Sequence, residues 1–495
     1  MRKAIIAASV ATLAFVGAVL GTGAPAAARP LPGTVSARAA APRIIVKPGV
    51  LRIGKIAAAG PPTTAYCQHA YGIACYEPGQ LRAAYHLPPV YASGVTGKGA
   101  TIAVVDSYGS PTLAQDLAVF DKRFGLPAPP SLKTIAPVGP IPKFDPGSSD
   151  MTGWAGETTL DVEYAHAIAP GANILVVETP VSETEGVTGF PQIVAAEEYV
   201  LNHHLGDVIS QSFSATEETF ASYQQLQPLR AAYELAYKDH VTVLAASGDS
   251  GAADVELNGS TYYPYPVTSW PDSDPLVTGV GGTQLVQGPK GKYSSVVWND
   301  TYDKNVGGAN PGPAASGGGT SQFFPRPSYQ NGVASITGDR RGVPDISMSG
   351  ACNGAVEVYS TYGGGPGGWS TVCGTSEATP EFAGIVALAD QKAGHPLGLL
   401  NPLLYRLSAV RARGIVDVTK GDNTVTFRQN DKLVTVRGFA ALPGYDLASG
   451  VGTVNAQYLV NELAAGGFLT AAPHRSSPSG RSPSPLIGAR LRAVS

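Results

Sequence analysis

The chain has 495 residues, of which 43% are hydrophobic and 14% charged, and its formal net charge is -3. This length exceeds what one small domain needs and suits one large catalytic domain with appended segments. The weak, slightly acidic charge does not favour nucleic-acid binding or a basic membrane-surface role, so we expect no nucleic-acid partner and no stable membrane association.

The two ends of the chain differ in composition from its middle. Residues 1–28 have a basic start, a short apolar run and an Ala-x-Ala site, which predict a signal peptide cleaved after Ala28; a retained anchor is the alternative. Residues 29–74 are predicted to be a short flexible segment or short propeptide, and the Ser/Pro/Arg-rich residues 466–495 a disordered tail. The main folded domain between them would span residues 75–465, and we expect a secreted, extracellular protein.

The four cysteines fall into two pairs that are close in sequence. Pairing Cys67 with Cys75 and Cys352 with Cys373 is the simplest of the three possible connectivities, and disulfides fit a secreted chain. Zinc binding is the competing interpretation, but no C-x-x-C motif or histidine cluster accompanies these residues.

Apolar strands alternate with amphipathic helices through the first half of the domain. The strands read "GATIAVVDSYG", "ANILVVET", "DVISQSFS" and "VTVLAASGDSGA", and the intervening segments include "TLAQDLAVFDKRFG", a helix that should end at Gly125. This pattern predicts an α/β fold with a mostly parallel central sheet covered by helices on both faces. Ligands of such sheets collect at the carboxyl ends of the strands.

An acid pair occurs in the segment "GETTLDVEYAHAIAPGA". Glu157 and Asp161 are four residues apart in a predicted helix that must end before Pro170, so their side chains share one face. An isolated E-x-x-x-D is usually a solvated acidic face, but this helix is too apolar to offer much solvent-exposed surface. Two desolvated carboxylates cannot both ionise easily, so one gains a raised pKa suited to proton transfer in acid.

Two further candidates lie downstream. Asp249 follows an apolar strand and a Ser-Gly turn, where it either caps the turn or donates, when protonated, a hydrogen bond to a developing oxyanion. Ser376 stands between a Gly-Thr turn and a predicted buried helix in "STVCGTSEATPEFAGIVALAD". His166 is five residues from Asp161 and should therefore face elsewhere, which leaves the serine without an evident histidine.

The ordered motifs "GETTLDVEYAHAIAPGA", "ASGDSGA", "TGVGGTQL", "RGVPDISM" and "GTSEATPEFAG" resemble those of the sedolisin family, the serine-carboxyl peptidases. The resemblance implies a subtilisin-like fold in one large catalytic domain. It implies Ser376 as nucleophile, Glu157 as general base, Asp161 as its orienting partner and Asp249 as the oxyanion-hole acid. The expected activity is acid-active endopeptidase cleavage of protein or peptide substrates through an acyl-enzyme, by a monomer.

The resemblance also implies one structural Ca²⁺ site late in the chain. Asp417 and Asp446 would supply carboxylates, and Val418, Leu442 and Gly444 backbone carbonyls, although the family often has glycine where this chain has Leu442.

The family's substrate-pairing edge strand resembles "SQSFSA", Ser210–Ala215, and "SGGG", Ser316–Gly319, would approach the peptide from another side. An ordinary sheet strand and a flexible loop are equally compatible with these two segments.

Two alternatives to this activity remain open at this point. In the first, the chain is an inert secreted binding protein on a peptidase scaffold. In the second, it is a histidine-dependent subtilisin-like enzyme that uses Asp106 and His166 and works best at neutral or alkaline pH. A metalloprotease is disfavoured because there is no H-E-x-x-H motif. Residues 29–74 are too few for the family's usual folded prodomain, so activation by that route is not expected.

Overall fold

A computed structural model describes residues 51–56, 60–307, 310–363 and 367–467. The predicted signal peptide and the predicted tail from residue 468 onward lie outside these ranges. Within them, no helix combines the length and the apolar character that a membrane crossing requires.

The strands are β1 (Leu51–Ile56), β2 (Cys75–Tyr76), β3 (Thr101–Ser107), β4 (Leu132–Ile135), β5 (Asn173–Thr179), β6 (Val208–Gln211), β7 (Ala215–Thr216), β8 (Thr242–Ala246), β9 (Ser269–Trp270), β10 (Thr278–Gln287), β11 (Tyr293–Val297), β12 (Gly319–Pro325), β13 (Arg340–Val343), β14 (Ile346–Ser349), β15 (Ala355–Ser360), β16 (Gly368–Cys373), β17 (Ile415–Val416), β18 (Val425–Gln429), β19 (Lys432–Val436) and β20 (Thr453–Val454).

The helices are α1 (Thr64–Ala70), α2 (Pro78–Ala84), α3 (Pro88–Ala92), α4 (Leu113–Phe124), α5 (Ser149–Ile168), α6 (Phe190–Asn202), α7 (Tyr223–Leu226), α8 (Ala231–Asp239), α9 (Lys304–Gly307), α10 (Ala334–Thr337), α11 (Thr375–Ala393), α12 (Asn401–Ala409) and α13 (Ala456–Gly467).

The central sheet has eight strands in the order β11-β10-β8-β6-β3-β5-β4, with β14 also paired to β10. Every pairing in it is parallel except that of β10 with β11. The predicted mostly parallel sheet is therefore confirmed. Its inner strands β3, β5, β6 and β8 are buried along most of their length because helices cover both faces.

Strand β3 shows how the two faces are filled. Ile102 and Val104 belong to the core that includes side chains of α4, α5, α11 and α13. Ala103 and Val105, which point the other way, belong to the core formed with α6 and α8. This alternation is the period of two that a strand imposes on its side chains.

Local signals set the helix ends that the sequence predicts. Helix α4 stops at Gly125, whose φ of 67° is the left-handed conformation that glycine adopts readily at a helix end. Helix α5 ends at Ile168, before Pro170, as predicted. Helices α5 and α11 cross closely at Gly384, where a Cβ atom would lie 2.6 Å from Cβ of Ile168.

The described residues 51–56 and 60–74 contain regular structure where the sequence predicts a flexible segment. Strand β1 pairs antiparallel with β16, the strand that leads to Ser376, and helix α1 follows at Thr64–Ala70. On the side of β16 that faces away from β15, the backbone hydrogen-bonding groups of β16 are paired with those of β1. Without β1, this side of β16 would be an unpaired sheet edge. Both predicted disulfides, Cys67–Cys75 and Cys352–Cys373, are present.

Candidate active site

The carboxyl ends of three neighbouring strands bring polar side chains to one edge of the central sheet. Strand β3 ends at Asp106 and Ser107, β6 leads to Ser212, and β8 leads through a Ser-Gly turn to Asp249. Ligands of parallel sheets bind at this edge, so the fold itself gathers the candidate residues.

Glu157 and Asp161 lie one turn apart on α5, and neither side chain is exposed to solvent. Burial raises the pKa of Asp161 well above its ordinary value, and the negative charges of Asp106 and Glu157 raise it further. The hydroxyl of Ser212, whose Oγ lies 2.9 Å from Asp161 Oδ1, lowers it in part. The acid pair is therefore a desolvated one, as the apolar sequence of this helix predicts.

Asp106 is a third buried acid of this group. It is 1% exposed, and burial raises its pKa to about 7. A hydrogen bond from Thr158 lowers the pKa, but by less than burial raises it. The sequence motifs suggest a role for Asp106 only as the partner of a histidine. Its position at the carboxyl end of β3 was the signal that could have placed it beside Asp161.

A proline in α11 explains why Ser212 lies against the serine motif. Pro380 has no backbone N–H, so the carbonyl of Ser376, four residues earlier, lacks its usual helical hydrogen bond. Ser212 Oγ lies 3.4 Å from that carbonyl oxygen and 2.9 Å from Asp161 Oδ1. Ser212 thus connects Asp161 of α5 to the residue predicted to be the nucleophile, a contact that no sequence motif indicates.

Asp249 faces the first residue of α11. Its Oδ1 accepts hydrogen bonds from the Thr375 backbone N–H at 2.7 Å and from the Thr375 hydroxyl at 2.8 Å. Its Oδ2 is buried and has no hydrogen-bond partner in the described part of the chain. Burial raises the pKa of Asp249 to about 7; the bonds from Thr375 lower it, and the charge of Asp254 raises it. An orphaned oxygen on a carboxyl of raised pKa is what a proton donor to an external oxyanion requires.

His166 points away from these residues. Its Nε2 lies 2.8 Å from the Pro127 carbonyl oxygen and 3.3 Å from Asp121 Oδ1, behind α5. The structure therefore does not bring His166 to Ser376, and the spacing argument from the sequence holds.

The expected substrate strand differs in part from the structure. Ser210 and Gln211 belong to β6, which is paired on one side with β3 and on the other with β8. Their backbone cannot pair with a peptide, so the prediction of an edge strand over Ser210–Ala215 is wrong for these residues. Ala215 pairs with Trp270, which leaves residues 212–214 outside both ladders.

The loop at Ser316–Gly319 is held against the turn that carries Asp249. The Gly317 N–H donates to the Gly248 carbonyl at 2.7 Å, and the Ala315 N–H donates to the Asp249 carbonyl at 3.0 Å. This loop therefore borders the same edge of the sheet.

The two segments that carry the predicted calcium residues, 417–418 and 442–446, meet where Gly444 contacts Asp417. Gly444 N–H lies 3.1 and 3.0 Å from the two carboxylate oxygens of Asp417, and Asp446 accepts from the N–H of Leu442 at 3.0 Å. The described residues contain no group of three or more His, Cys, Asp or Glu side chains that could hold a metal ion. The carbonyls of Val418, Leu442 and Gly444 accept no hydrogen bond from the described residues, and such oxygens are ligands that a hard cation accepts. The Asp446 carboxylate, in contrast, already accepts hydrogen bonds from the N–H groups of Leu442, Ala448 and Ser449.

Comparisons with known proteins agree with this architecture. The model of the subtilase family, Peptidase_S8, matches residues 147–428, more than half of the chain. Kumamolisin of Bacillus sp. (strain MN-32) is 32% identical over 390 residues, which are 76% of this chain and 62% of that protein. Human tripeptidyl-peptidase 1 is 32% identical over 322 residues, 62% of this chain and 51% of its own length.

This chain thus spans about six tenths of the first relative and half of the second. Among solved structures, Pseudomonas sedolisin, described as a serine-carboxyl proteinase complexed with two molecules of pseudo-iodotyrostatin, superposes with a TM-score of 0.64 at 26% identity. The match covers 80% of this chain and all of that one. The chain belongs to the subtilase family, and within that family to the sedolisins.

Proposed function

We propose that this chain is a secreted, acid-active serine-carboxyl endopeptidase that cleaves peptide bonds through an acyl-enzyme on Ser376. The observation that supports this most is the arrangement around α11. The buried carboxyl of Asp161 on α5 is linked to the Ser376 backbone through Ser212, and Asp249 contacts Thr375 beside it. His166, the histidine nearest to the acid pair in sequence, lies against Asp121 instead.

In the proposed acylation step, Ser376 Oγ adds to the scissile carbonyl carbon while its proton passes to Glu157. The carbonyl oxygen becomes an oxyanion that accepts a hydrogen bond from protonated Asp249 Oδ2. The C–N bond then breaks, Glu157 returns the proton to the leaving amine, and the acyl group remains on Oγ.

Deacylation repeats these roles with water as the nucleophile. Glu157 takes a proton from the water as its oxygen adds to the acyl carbon, and Asp249 again donates to the oxyanion. When the ester C–O bond breaks, Glu157 returns the proton to Ser376 Oγ. The carboxylic acid product leaves and the free enzyme is restored.

The protonation states required favour acidic solution. Glu157 must be ionised to act as base, and a carboxylate remains ionised at a pH where an imidazole is already protonated. Asp249 must be protonated, and its pKa of about 7 keeps it so throughout acid. Burial and the neighbouring charges of Asp106 and Glu157 likewise favour protonated Asp161, which can donate a hydrogen bond and so orient Glu157.

We also propose one structural Ca²⁺ site. The carboxylates of Asp417 and Asp446 and the carbonyls of Val418, Leu442 and Gly444 would hold the ion. Calcium would there neutralise two carboxylates from two segments and so stabilise the fold, apart from the acid residues.

The proposed function is tested by trapping the acyl-enzyme. Purified protein is mixed at about pH 4 with a peptide ester, quenched within one turnover and digested for mass spectrometry, with Ser376→Ala as control. We expect the acyl mass on the peptide that contains Ser376 and none in the variant. Turnover without such an adduct, or an adduct on another residue, would contradict the proposal.

Peptides with blocked and free N-termini distinguish an endopeptidase from an exopeptidase. The exopeptidase is the alternative to test because one relative is named tripeptidyl-peptidase 1. We expect peptides with an acetylated N-terminus to be cut at internal bonds. Strict dependence on a free N-terminus would replace endopeptidase by exopeptidase in the proposal. An inert binding protein would instead bind peptides without releasing products at any pH.

A further inference from the structure

Two carboxyls that the proposed mechanism does not use lie on the same helix as Ser376. Glu377 follows the serine directly, Glu381 comes one turn later, and neither is exposed to solvent. Residues four apart share one face of a helix, so the two carboxyls are neighbours within the core. They lie beneath the first two turns of α11.

Neither carboxyl has a compensating cation. In the part of the chain that the structure describes, no Lys, Arg or His lies within ion-pair distance of Glu377 or Glu381. Both carboxyl oxygens of Glu381 also lack a hydrogen-bond partner among these residues. An isolated carboxylate is very costly in such a place, whereas a neutral carboxylic acid is tolerated.

The titratable groups that face the pair come from three directions. Tyr85 approaches from the end of α2, Tyr164 from α5, and Asp249 from the turn after β8. None of them carries positive charge.

The other elements packed on α11 offer no cation either. Strands β6, β8, β10, β14 and β16 contain no charged residue, and β3 contributes only the acid Asp106. On α13, Glu462 accepts a hydrogen bond from the Gly414 N–H. On α5, His166 faces Asp121.

The electrostatics agree with this geometry. Burial raises the pKa of Glu377 well above its ordinary value; the Ser349 hydroxyl lowers it in part, and the charge of Asp249 raises it. Burial also raises the pKa of Glu381 well above its ordinary value, with the charge of Glu377 adding to it. The folded chain therefore holds these protons more tightly than the unfolded chain, where the pKa of Glu is about 4.3. The resulting stability is full below that pH and is lost as the pH rises towards the folded-state values.

We propose that Glu377 and Glu381 are positioning residues for Ser376, whose neutral carboxyls hold the start of α11 in place in acid and whose ionisation displaces it at higher pH. This inference rests on the proposed acid-active function and deepens it. It adds a second reason for activity to fall above acidic pH: the start of α11, which carries Ser376, is displaced, independently of the titration of Asp249. It concerns the folded helix, so it can be tested without catalysis.

The first test measures hydrogen exchange in the Ser376→Ala chain, which also prevents self-digestion. Peptides that cover residues 375–393 are followed between pH 4 and pH 8, with rates corrected for the intrinsic effect of pH. We expect protection of α11 to fall selectively at the higher pH. Adding Glu377→Gln and Glu381→Gln should restore most of it, because the amides keep the shape and cannot ionise.

A matched control is Glu163→Gln on α5. Glu163 is also fully buried, and burial raises its pKa well above the ordinary value, but it lies on another helix. We expect this control to leave the pH response of α11 unchanged. If the double variant does not fold, the exchange of α11 in Ser376→Ala alone still decides: protection that is the same at pH 4 and pH 8 overturns the proposal.

The second test uses the active chain, pre-incubated at pH 8 and returned to pH 4 for assay. Each variant is compared with its own starting activity, and we expect Glu377→Gln/Glu381→Gln to inactivate at least about fivefold more slowly than the parent, because its α11 cannot ionise. If the double variant and the parent have equal inactivation half-lives, and the hydrogen exchange of α11 is the same at pH 4 and pH 8, then Glu377 and Glu381 are not the pH-sensitive element. If the chain proves to have no peptidase activity, the exchange experiment alone tests the inference.

Discussion

Replacing Asp249 by asparagine should change the pH profile of cleavage in a defined way. Asp249 Oδ1 already accepts two hydrogen bonds from Thr375, while Oδ2 has no partner in the described chain. An asparagine that keeps the bonds from Thr375 places its NH₂ group where Oδ2 now lies. The variant therefore retains a donor to the oxyanion that cannot be lost by ionisation.

The magnitude follows from the pKa of about 7 that burial gives Asp249. At pH 5 almost all of the Asp249 side chains are protonated, and at pH 8 only about a tenth are. We expect the ratio of kcat/KM for Asp249→Asn to that of the parent to rise about tenfold between these two pH values. Asp249→Ala, which lacks any donor, should lose about 10²–10³-fold in kcat in acid.

The assay measures initial rates with an internally quenched peptide, after dilution from a stock kept at pH 4 so that exposure to pH 8 is brief. Asp116→Asn is the control, since Asp116 is a buried carboxyl bonded to Thr112 and Thr361 away from the site. If the ratio for Asp249→Asn does not change with pH, the protonation of Asp249 does not control the rate. If asparagine and alanine are equally inactive, the side chain at position 249 does not act as a hydrogen-bond donor.

Three further outcomes are expected. Ser212→Ala should lower kcat about tenfold or more with little change in KM, because the Ser376 carbonyl and Asp161 lose their shared partner; an unchanged kcat would contradict this. Gly384→Ala should cost about 1–3 kcal/mol of unfolding free energy, measured by urea denaturation, because its Cβ would lie 2.6 Å from Cβ of Ile168; a neutral effect would contradict the helix crossing. Chelation of calcium should lower Tm in the parent and not in Asp417→Asn, and equal shifts in both would remove Asp417 from the proposed site.

Sequence patterns predicted the fold well because the strongest signals in this chain are local ones. Unbroken apolar strands such as β3 require helices on both faces, and Gly125 and Pro170 mark the ends of α4 and α5. The pairing of cysteines that are neighbours in sequence followed from the same locality. The acid pair on α5 was visible because an apolar helix cannot solvate it.

The missed features depend on contacts between distant segments. Ser212 meets Asp161 across 51 residues and the Ser376 carbonyl across 164 residues, and neither separation leaves a pattern in the chain. The edge-strand prediction is wrong for Ser210 and Gln211 because β6 lies between β3 and β8. The sequence of a single strand does not indicate its position in the order of the sheet. Strand β1 was also not foreseen, since its order comes from pairing with β16.

In the proposed mechanism a carboxylate, and not a histidine, activates Ser376. The decisive measurement is kcat/KM for an internally quenched peptide from about pH 2 to pH 9, for the parent, Glu157→Gln and His166→Gln. We expect an acidic optimum in the parent, the same optimum in His166→Gln, and a loss of activity at every pH in Glu157→Gln. A neutral or alkaline optimum that disappears in His166→Gln, or full activity of Glu157→Gln, would contradict this mechanism.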